Sequence, residues 1–337
     1  MNSPAIADLQ RKDPYHEHFS LFIKHLKGYQ KTLARRKPKE LYEACHYILE
    51  LGGKRLRPVL ALAACDVFGK HPDKALGAAM AVELFHNFSL IHDDILDNAP
   101  LRRGKPTVHE KWNTGLAILS GDVMLVEAQM AFNEYPPALA KNLATLFNKT
   151  AVEVCEGQQM DMNFETSTGV SVKEYLKMIG LKTAVLIGCS LQMGAMCAGA
   201  GIHNQKAIYV FGKNLGIAFQ LMDDYLDVFG ESHTFGKKTG GDILAAKKTF
   251  MLLKAMERLD SRGKKELKAL ITSRISDSEK ISGVVRLYRQ AGADILCLKE
   301  AEKHTRLAIK NLESIKAPAG KKEIMKQFAL NLLQRAK

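Results

Sequence analysis

The chain has 337 residues, of which 46% are hydrophobic, and a formal net charge of +13. This length and apolar content are enough to bury a large core in one or two domains. The positive charge favours an anionic partner, but the basic residues lack aromatic interleaving and fit no nucleic-acid-binding motif, so we expect no nucleic-acid partner.

Helical periodicity runs through nearly the whole chain, and strand-like alternation is almost absent. The predicted helices span residues 15–36, 39–52, 57–68, 73–97, 114–134, 138–164, 171–180, 182–200, 204–230, 241–259, 263–273, 278–290, 293–314 and 320–336. Gly and Pro mark the breaks between them, and no Pro-, Ser- or Gly-rich stretch separates two halves. We therefore predict an all-α fold in a single domain over residues 1–337.

The stretch from Thr183 to Gln205 has no Lys, Arg, Asp or Glu and is long enough to span a bilayer. Its four glycines suit a helix that other helices bury on all sides, so we expect no transmembrane segment. The six cysteines occur singly within apolar patterns, and the first residues do not resemble a secretion signal. These features predict that the cysteines are reduced residues of the core and that the location is cytoplasmic.

One short acidic pattern occurs twice, as Asp93–Asp97 (DDILD) and Asp223–Asp227 (DDYLD), each time at the end of a long apolar helix. The first and last aspartates of each pattern share a helix face, so their carboxylates converge. Like charges this close favour a cation between them, and oxygen ligands suit Mg²⁺. A solvated helix end would explain one such pattern, whereas two that follow apolar segments predict a shared metal site in one cavity.

Basic clusters near these carboxylates could neutralise a phosphorylated ligand. The segment Gly52–Pro58 (GGKRLRP) combines a flexible backbone with three cations, and Arg102 and Arg103 follow the first acidic pattern. Each cluster alone is explained by solvent exposure, but their position beside the aspartates favours diphosphate binding.

Taken together, the chain resembles the trans-isoprenyl diphosphate synthases, also called polyprenyl synthetases, over almost its whole length. Seven motifs occur in the family's order: Gly52 to Pro58; Asp93 to Asp97 with Arg102-Arg103-Gly104; Gly121-Asp122; Gly157-Gln158 with Asp161; Lys182-Thr183; Phe219-Gln220 with Asp223 to Asp227; and Gly236-Lys237 with Gly240-Gly241-Asp242. The resemblance implies a helical bundle of the isoprenoid synthase type around a deep apolar cavity, three Mg²⁺ ions and a homodimer.

The resemblance also implies roles for individual residues. Metal ligands are Asp93, Asp97 and Asp223, with Asp94, Asp224 and Asp227 acting partly through water. Contacts to the allylic diphosphate are Arg102, Lys182, Thr183, Gln220 and Lys237, and contacts to isopentenyl diphosphate are Lys54, Arg57, His86 and Arg103. Lys247 faces the allylic carbon, although Leu244-Ala245-Ala246 replaces the residues common before it. The residues expected to matter most for catalysis are Asp93, Asp97, Asp223, Lys182 and Arg102.

The implied reaction is head-to-tail condensation of isopentenyl diphosphate with an allylic diphosphate, in which ionisation is followed by condensation and elimination. Phe88 lies five residues before Asp93, about 7.5 Å along the helix axis, with the small Ser89 beside it. By analogy with the family, an aromatic side chain at this depth limits how far the growing apolar tail can extend, and it favours a C20 product over C15. The segment from Ser232 to Gly241 and the last four residues are candidate lids.

Three alternative functions stay open at this point. A class I terpene cyclase shares the first acidic pattern, but its second site normally mixes other ligands. A phosphohydrolase could use His92 with Asp93, yet further ligand histidines are not recognisable. A non-catalytic subunit that binds prenyl diphosphates would be expected to lose some of the aspartates, and none is missing.

Overall fold

The computed structural model describes residues 14–230 and 240–334, and almost all of them belong to helices, which confirms the predicted all-α fold. The helices are α1 His16–Leu33, α2 Lys39–Glu50, α3 Leu56–Val67, α4 Leu76–Leu96, α5 Val108–Lys111, α6 Thr114–Met130, α7 Pro137–Thr166, α8 Val172–Ile179, α9 Val185–Cys197, α10 Ile202–Phe229, α11 Gly241–Leu244, α12 Phe250–Arg258, α13 Ser261–Thr272, α14 Asp277–Ala291, α15 Ala293–Ser314 and α16 Ala319–Gln334. Lys237, most of the first candidate lid and residues 335–337 of the second lie outside the described residues.

The predicted helix 241–259 was wrong as a single element, because the structure contains two helices there, α11 and α12. Ala246 has a φ of +53°, a left-handed conformation that ends α11. Thr249 then starts α12, since its side chain accepts a hydrogen bond from the backbone N–H of Leu252 at 3.5 Å. Apolar periodicity continues across this break, so it could not show the interruption.

A small antiparallel hairpin was not predicted. Strand β1 is Leu101–Arg102 and strand β2 is Lys105–Pro106, and the turn between them is Arg103-Gly104. Both turn residues have positive φ, +54° and +74°, as a type I′ turn requires. Glycine adopts this conformation readily, whereas an arginine there is strained and must be held by its surroundings.

The described chain divides into two compact units. Unit 1 contains the residues up to Asn148 together with Cys189–Ile208 and Lys316–Met325, and unit 2 contains Lys149–Gly188, Tyr209–Ile315 and the residues from Lys326 onward. In unit 1, α4 packs against α3 and α6, and in unit 2, α12 packs against α14 and α15. Each unit therefore has its own core of helices.

The apolar stretch that begins near Thr183 is part of a continuous helical segment. Two segments of the described residues are long and apolar enough to cross a membrane by composition, Thr114–Glu134 and Val172–Cys197. Of the apolar window in the second, 78% is buried, which confirms that it is a core helix. Four cysteines are buried, but Cys155 on α7 is exposed, so the prediction of a core position was wrong there.

Candidate active site

The first acidic pattern lies where α4 leaves the core of unit 1. Most of α4 is buried. The helix ends at Leu96 and is capped by Asp97, which is exposed, while Asp93 is half-buried. Asn98 has a φ of +46°, and the N–H of Ala99 donates to the carbonyl of Asp94 at 2.9 Å. This left-handed C-terminal turn stops the helix directly after the pattern.

Asp94 is only 1% exposed and is paired with Arg102 of the hairpin. The Nε and Nη2 atoms of Arg102 donate to the two carboxylate oxygens at 2.7 and 2.6 Å. A bidentate pair of this kind fixes both side chains. Three N–H groups of the guanidinium are not used by Asp94, so Arg102 can hold Asp94 and still donate to an anion.

Arg55, Arg57 and Arg103 form a cluster of arginines beside Gly52 and Gly53 in the same unit. The Nη1 of Arg103 donates to the carbonyl of Gly52, and a methyl group on Gly53 would lie 2.9 Å from the Nη2 of Arg103. Glycine at position 53 therefore lets the guanidinium approach the backbone. Burial, and then the charge of Arg55, lower the pKa of Arg103. Crowded cations of this kind are stabilised by a bound anion.

His86 on α4 lies beside this cluster. Its Nε2 is 3.3 Å from the Nη1 of Arg57, whose Nε is buried and has no partner. Burial, followed by the charges of Arg57 and Arg103, lowers the pKa of His86 well below its usual value. The imidazole is therefore neutral, and its Nε2 accepts from Arg57, which leaves Nδ1–H as a donor for a ligand.

Arg55 has a different role from its neighbours. It is 6% exposed, has a φ of +46° and is paired with Glu83, which is 2% exposed. Its Nη2 also donates to the carbonyl of Leu49, and the amide of Asn87 donates to Glu83 at 3.0 Å. This buried network holds the start of α3, and with it the basic segment, against α4.

The second acidic pattern lies near the end of α10 in unit 2. Asp224 is 5% exposed and accepts hydrogen bonds from the hydroxyl of Tyr175 and from the Nε2 of Gln220 at 3.0 Å. The hydroxyl of Thr183 donates to the Oε1 of Gln220 at 3.2 Å. Gln220 and Thr183, both predicted as diphosphate contacts, therefore form a chain of hydrogen bonds that ends at Asp224, while Asp223 is exposed.

Burial, with a smaller contribution from the charges of Asp242 and Asp223, raises the pKa of Asp224 to about 7, against the lowering effect of the hydrogen bonds from Tyr175 and Gln220. The folded protein therefore binds this proton more tightly than the unfolded chain, whose pKa is near 3.8. Without metal, we expect the stability contributed by this group to fall as pH rises from about 4 to about 7. Thermal melting in a chelator should show this slope, and Asp224→Asn should remove it; an unchanged slope in the variant would contradict the assignment.

Asp227 connects α10 to the short helix α11. Its Oδ2 accepts from the backbone N–H of Asp242 at 2.9 Å, in the first turn of α11. Lys247, predicted to face the allylic carbon, has its Nζ 3.7 Å from the Oδ1 of Asp242 and is itself exposed. Asp227, Asp242 and Lys247 thus form one connected set of contacts.

Lys182 and Thr183 lie in a π-helical segment, Gly180–Ala184, that joins α8 to α9. Such single turns are rare and often occur at functional sites. The Nζ of Lys182 donates to the Oδ2 of Asp161 at 2.6 Å. A methyl group on Gly157 would lie 2.7 Å from the Cα of Lys182, so glycine allows α7 to approach this segment closely.

We expect Gly157→Ala to push the π-helical segment away from α7 and to displace Lys182. The added methyl group meets backbone atoms, which cannot rotate away, so roughly 1–3 kcal/mol of stability should be lost. Because the family resemblance implies that Lys182 contacts the allylic diphosphate, the KM for that substrate should rise more than the KM for isopentenyl diphosphate. Gly28→Ala is a matched control, because nothing lies near its added methyl group. Equal kinetics for both variants would contradict this role of Gly157.

The remaining predicted residues lie apart from these contacts. Lys54 is exposed beside the glycines, and Gln158 has a buried Oε1 without a partner. The ring of Phe88 lies 5.5 Å from Phe85 and 4.7 Å from His92, and Ser89 donates to the carbonyl of His86 at 2.9 Å. Phe88 is thus part of an aromatic group within unit 1.

Within residues 14–230 and 240–334, no group of three His, Cys, Asp or Glu side chains forms a ready-made metal site. The chemistry of the acidic patterns nevertheless fits a hard divalent cation, because both consist of oxygen donors alone. In unit 2, the negative charges that raise the pKa of Asp224 are those a cation would neutralise. Mg²⁺ typically takes one or two carboxylates and completes its shell with phosphate oxygens and water.

Sequence reasoning missed three features of the site: the Arg55–Glu83 pair, the hydrogen bond from Tyr175 to Asp224, and the π-helical segment. The sequence contained a signal for the Arg55–Glu83 pair, because Glu83 and Asn87 interrupt a strongly apolar helix and buried polar groups need partners. Tyr175 lies 49 residues from Asp224, so local pattern could not connect them.

Known proteins resemble this chain in sequence and in fold over most of its length. The polyprenyl synthetase family matches residues 38–288. The geranylgeranyl diphosphate synthase of Saccharolobus solfataricus is 37% identical, over 91% of this chain and 94% of its own. The short chain isoprenyl diphosphate synthase of Methanothermobacter thermautotrophicus is 36% identical, over 82% of this chain and 85% of its own. A crystal structure of geranylgeranyl pyrophosphate synthase is 44% identical, with a TM-score of 0.91, and the match covers 96% of this chain and 99% of that one. The chain belongs to the polyprenyl synthetase family.

Proposed function

We propose that the protein is a Mg²⁺-dependent prenyltransferase that condenses isopentenyl diphosphate with an allylic diphosphate, head to tail, into an all-trans C20 diphosphate. The observation that carries the proposal is the hairpin of unit 1. Arg102 holds a carboxylate of the first acidic pattern, and the next residue, Arg103, lies against Gly52 in the arginine cluster. Two adjacent residues of the hairpin thus join a carboxylate suited to binding a metal ion, through Arg102, to a group of cations suited to binding diphosphate, through Arg103.

In this proposal the side chains bind and orient two diphosphates. The metal ions, which number three by family resemblance, would be held by Asp93, Asp97 and Asp223. Asp94, Asp224 and Asp227 would support these ligands. Lys182 and Arg102 donate to the departing diphosphate, while Lys54, Arg57 and Arg103 and the Nδ1–H of His86 hold isopentenyl diphosphate. Bound Mg²⁺ supplies Lewis-acid stabilisation of the leaving group.

The carbon chemistry then requires no protein nucleophile. The allylic carbon becomes cationic as its bond to diphosphate breaks, and the double bond of isopentenyl diphosphate attacks it. The released diphosphate is the best-placed base for the proton lost afterwards. The protein contributes electrostatic stabilisation of the leaving charge and exclusion of water, which would otherwise capture the cation.

We expect Phe88→Ala to lengthen the product beyond C20, because it removes a ring from the aromatic group on α4 and opens space for a longer tail. Chromatography of the dephosphorylated products measures the chain length. Phe68→Ala, at the end of α3, is the matched control and should leave the product unchanged. An unaltered product spectrum for Phe88→Ala would show that another residue limits the chain length.

We propose a homodimer and a cytoplasmic location as well. The dimer is supported by an apolar face of α6 that the described chain leaves open: Leu119, Val126 and Met130 are 57%, 58% and 51% exposed and share one side of the helix. Light scattering of the purified protein should give twice the mass of one chain. A monomer under assay conditions would contradict the dimer without affecting the proposed reaction.

The proposed reaction is tested by incubating the purified protein with isopentenyl diphosphate, an allylic diphosphate and Mg²⁺, and identifying the products. Chain elongation that stops in a chelator supports the proposal. Cyclised hydrocarbon would indicate a terpene cyclase, and free phosphate would indicate a phosphohydrolase. Binding without turnover would indicate a non-catalytic subunit.

A further inference from the structure

The hairpin β1–β2 carries Arg102 and Arg103 but has little structure of its own. It consists of two residue pairs, Leu101 opposite Pro106 and Arg102 opposite Lys105, and it forms a two-stranded sheet. A hairpin this small is at best marginally stable in water. Its position must therefore be set by contacts with neighbouring helices.

The contacts made by the two arginines are the ones that a ligand would perturb. Arg102 is paired with Asp94, and Arg103 with the carbonyl of Gly52, where a diphosphate would compete for the same donors. At the end of β2, the hairpin makes a contact that involves neither arginine. The hydroxyl of Tyr47, on α2, donates to the carbonyl of Pro106 at 2.7 Å, at the end of β2.

Tyr47 is itself held by two aromatic contacts. Its ring meets the ring of Trp112 edge to face, with centroids 5.4 Å apart and an interplanar angle of 79°. The Nζ of Lys111 lies 3.8 Å from the centroid of Tyr47 and 4.6 Å from that of Trp112. These edge-to-face and cation–π contacts fix the ring that carries the hydroxyl.

We propose that Tyr47 is a positioning residue for the arginine hairpin: its hydrogen bond to Pro106 fixes the strand after Arg103 and so places the Arg103 guanidinium for diphosphate binding. The identity of the ligand rests on the proposed function, while the geometry rests on the contact between Tyr47 and Pro106. The two hydrogen bonds from Arg102 to Asp94 do not involve the Tyr47 hydroxyl, so we expect them to persist without it. Tyr47 therefore acts mainly on the isopentenyl diphosphate side.

The kinetic test compares Tyr47→Phe with Tyr42→Phe, the same substitution on the same helix. Phenylalanine keeps the contacts of the ring and removes only the hydroxyl. Tyr47→Phe should raise the KM for isopentenyl diphosphate roughly fivefold, the loss expected for one neutral hydrogen bond, with kcat and the KM for the allylic diphosphate nearly unchanged. An unchanged KM, or an equal rise in Tyr42→Phe, would overturn the inference.

A binding test separates this inference from the proposed reaction. Trp112 is the only tryptophan in the chain, so intrinsic fluorescence reports on the contact with Tyr47. The full-length protein is titrated with inorganic diphosphate without added metal, so that the arginine cluster binds it. The midpoint should shift to higher concentration, roughly fivefold, in Tyr47→Phe and not in Tyr42→Phe. If the wild type fails to elongate prenyl chains but this shift is seen, the proposed function fails and the positioning role stands; identical midpoints overturn the positioning role whatever the activity.

Discussion

Replacing Asp93 by Asn should lower kcat by roughly three orders of magnitude while the fold is retained. Asn has nearly the same shape, but it lacks the charge that holds a divalent cation against a diphosphate. Removal of one group that stabilises the developing charge in a transition state typically costs a factor of about 10² to 10³, and a displaced metal ion removes more than one such contact. Steady-state kinetics with saturating Mg²⁺ measure the effect.

Asp73→Asn is the matched control for this substitution. Asp73 lies in the same unit, is half exposed and pairs with His71 outside the site. It should keep the activity of the wild type. Activity within threefold of the wild type in Asp93→Asn would show that the first acidic pattern does not hold a catalytic metal.

Replacing Glu83 by Gln should destabilise the protein by about 3–5 kcal/mol, because it leaves the charge of Arg55 buried without a counter-ion. The side chains of Arg55 and Glu83 are 4% and 3% exposed, so water cannot replace the lost partner. Denaturant unfolding followed by circular dichroism measures the loss. Arg55→Met combined with Glu83→Leu removes both charges, and we expect it to recover most of the stability.

Glu43→Gln is the control for the buried pair. Glu43 pairs with Lys39 on the same helix, and their side chains are 49% and 78% exposed. Exposed pairs contribute at most about 1 kcal/mol, so this variant should unfold close to the wild type. A similar loss in both variants would show that the charge of Arg55 is not desolvated in the folded protein.

The helices that carry the site could be predicted from sequence because apolar periodicity is a local property. The helices before Asp93 and Asp223 are strongly apolar, and each pattern of carboxylates marks the point where polarity returns. The predicted helix 73–97 differs from α4 mainly at its start, where Pro72–Ala75 forms a 3₁₀ turn. Boundaries of this kind depend on single hydrogen bonds, which periodicity does not show.

The partners of the site residues could not be predicted, because they are distant in sequence. Arg55 belongs to a basic segment that suggests a ligand contact, yet it pairs with Glu83, 28 residues away. Arg102 was predicted as a phosphate contact, and the structure shows that it also holds Asp94. Its role toward the diphosphate stays a prediction. A charge inside an apolar helix signals that a partner exists, but only the fold identifies that partner.

The most direct test of the account is a calorimetric titration of the protein with inorganic diphosphate, with and without Mg²⁺. We predict that Mg²⁺ tightens binding in the wild type by at least roughly tenfold, since the ion joins carboxylate and phosphate oxygens. This gain should be lost in Asp93→Asn and in Asp223→Asn. Equal affinity with and without Mg²⁺ in the wild type, or a Mg²⁺-dependent gain in affinity retained in both variants, would contradict the binding of Mg²⁺ by the acidic patterns.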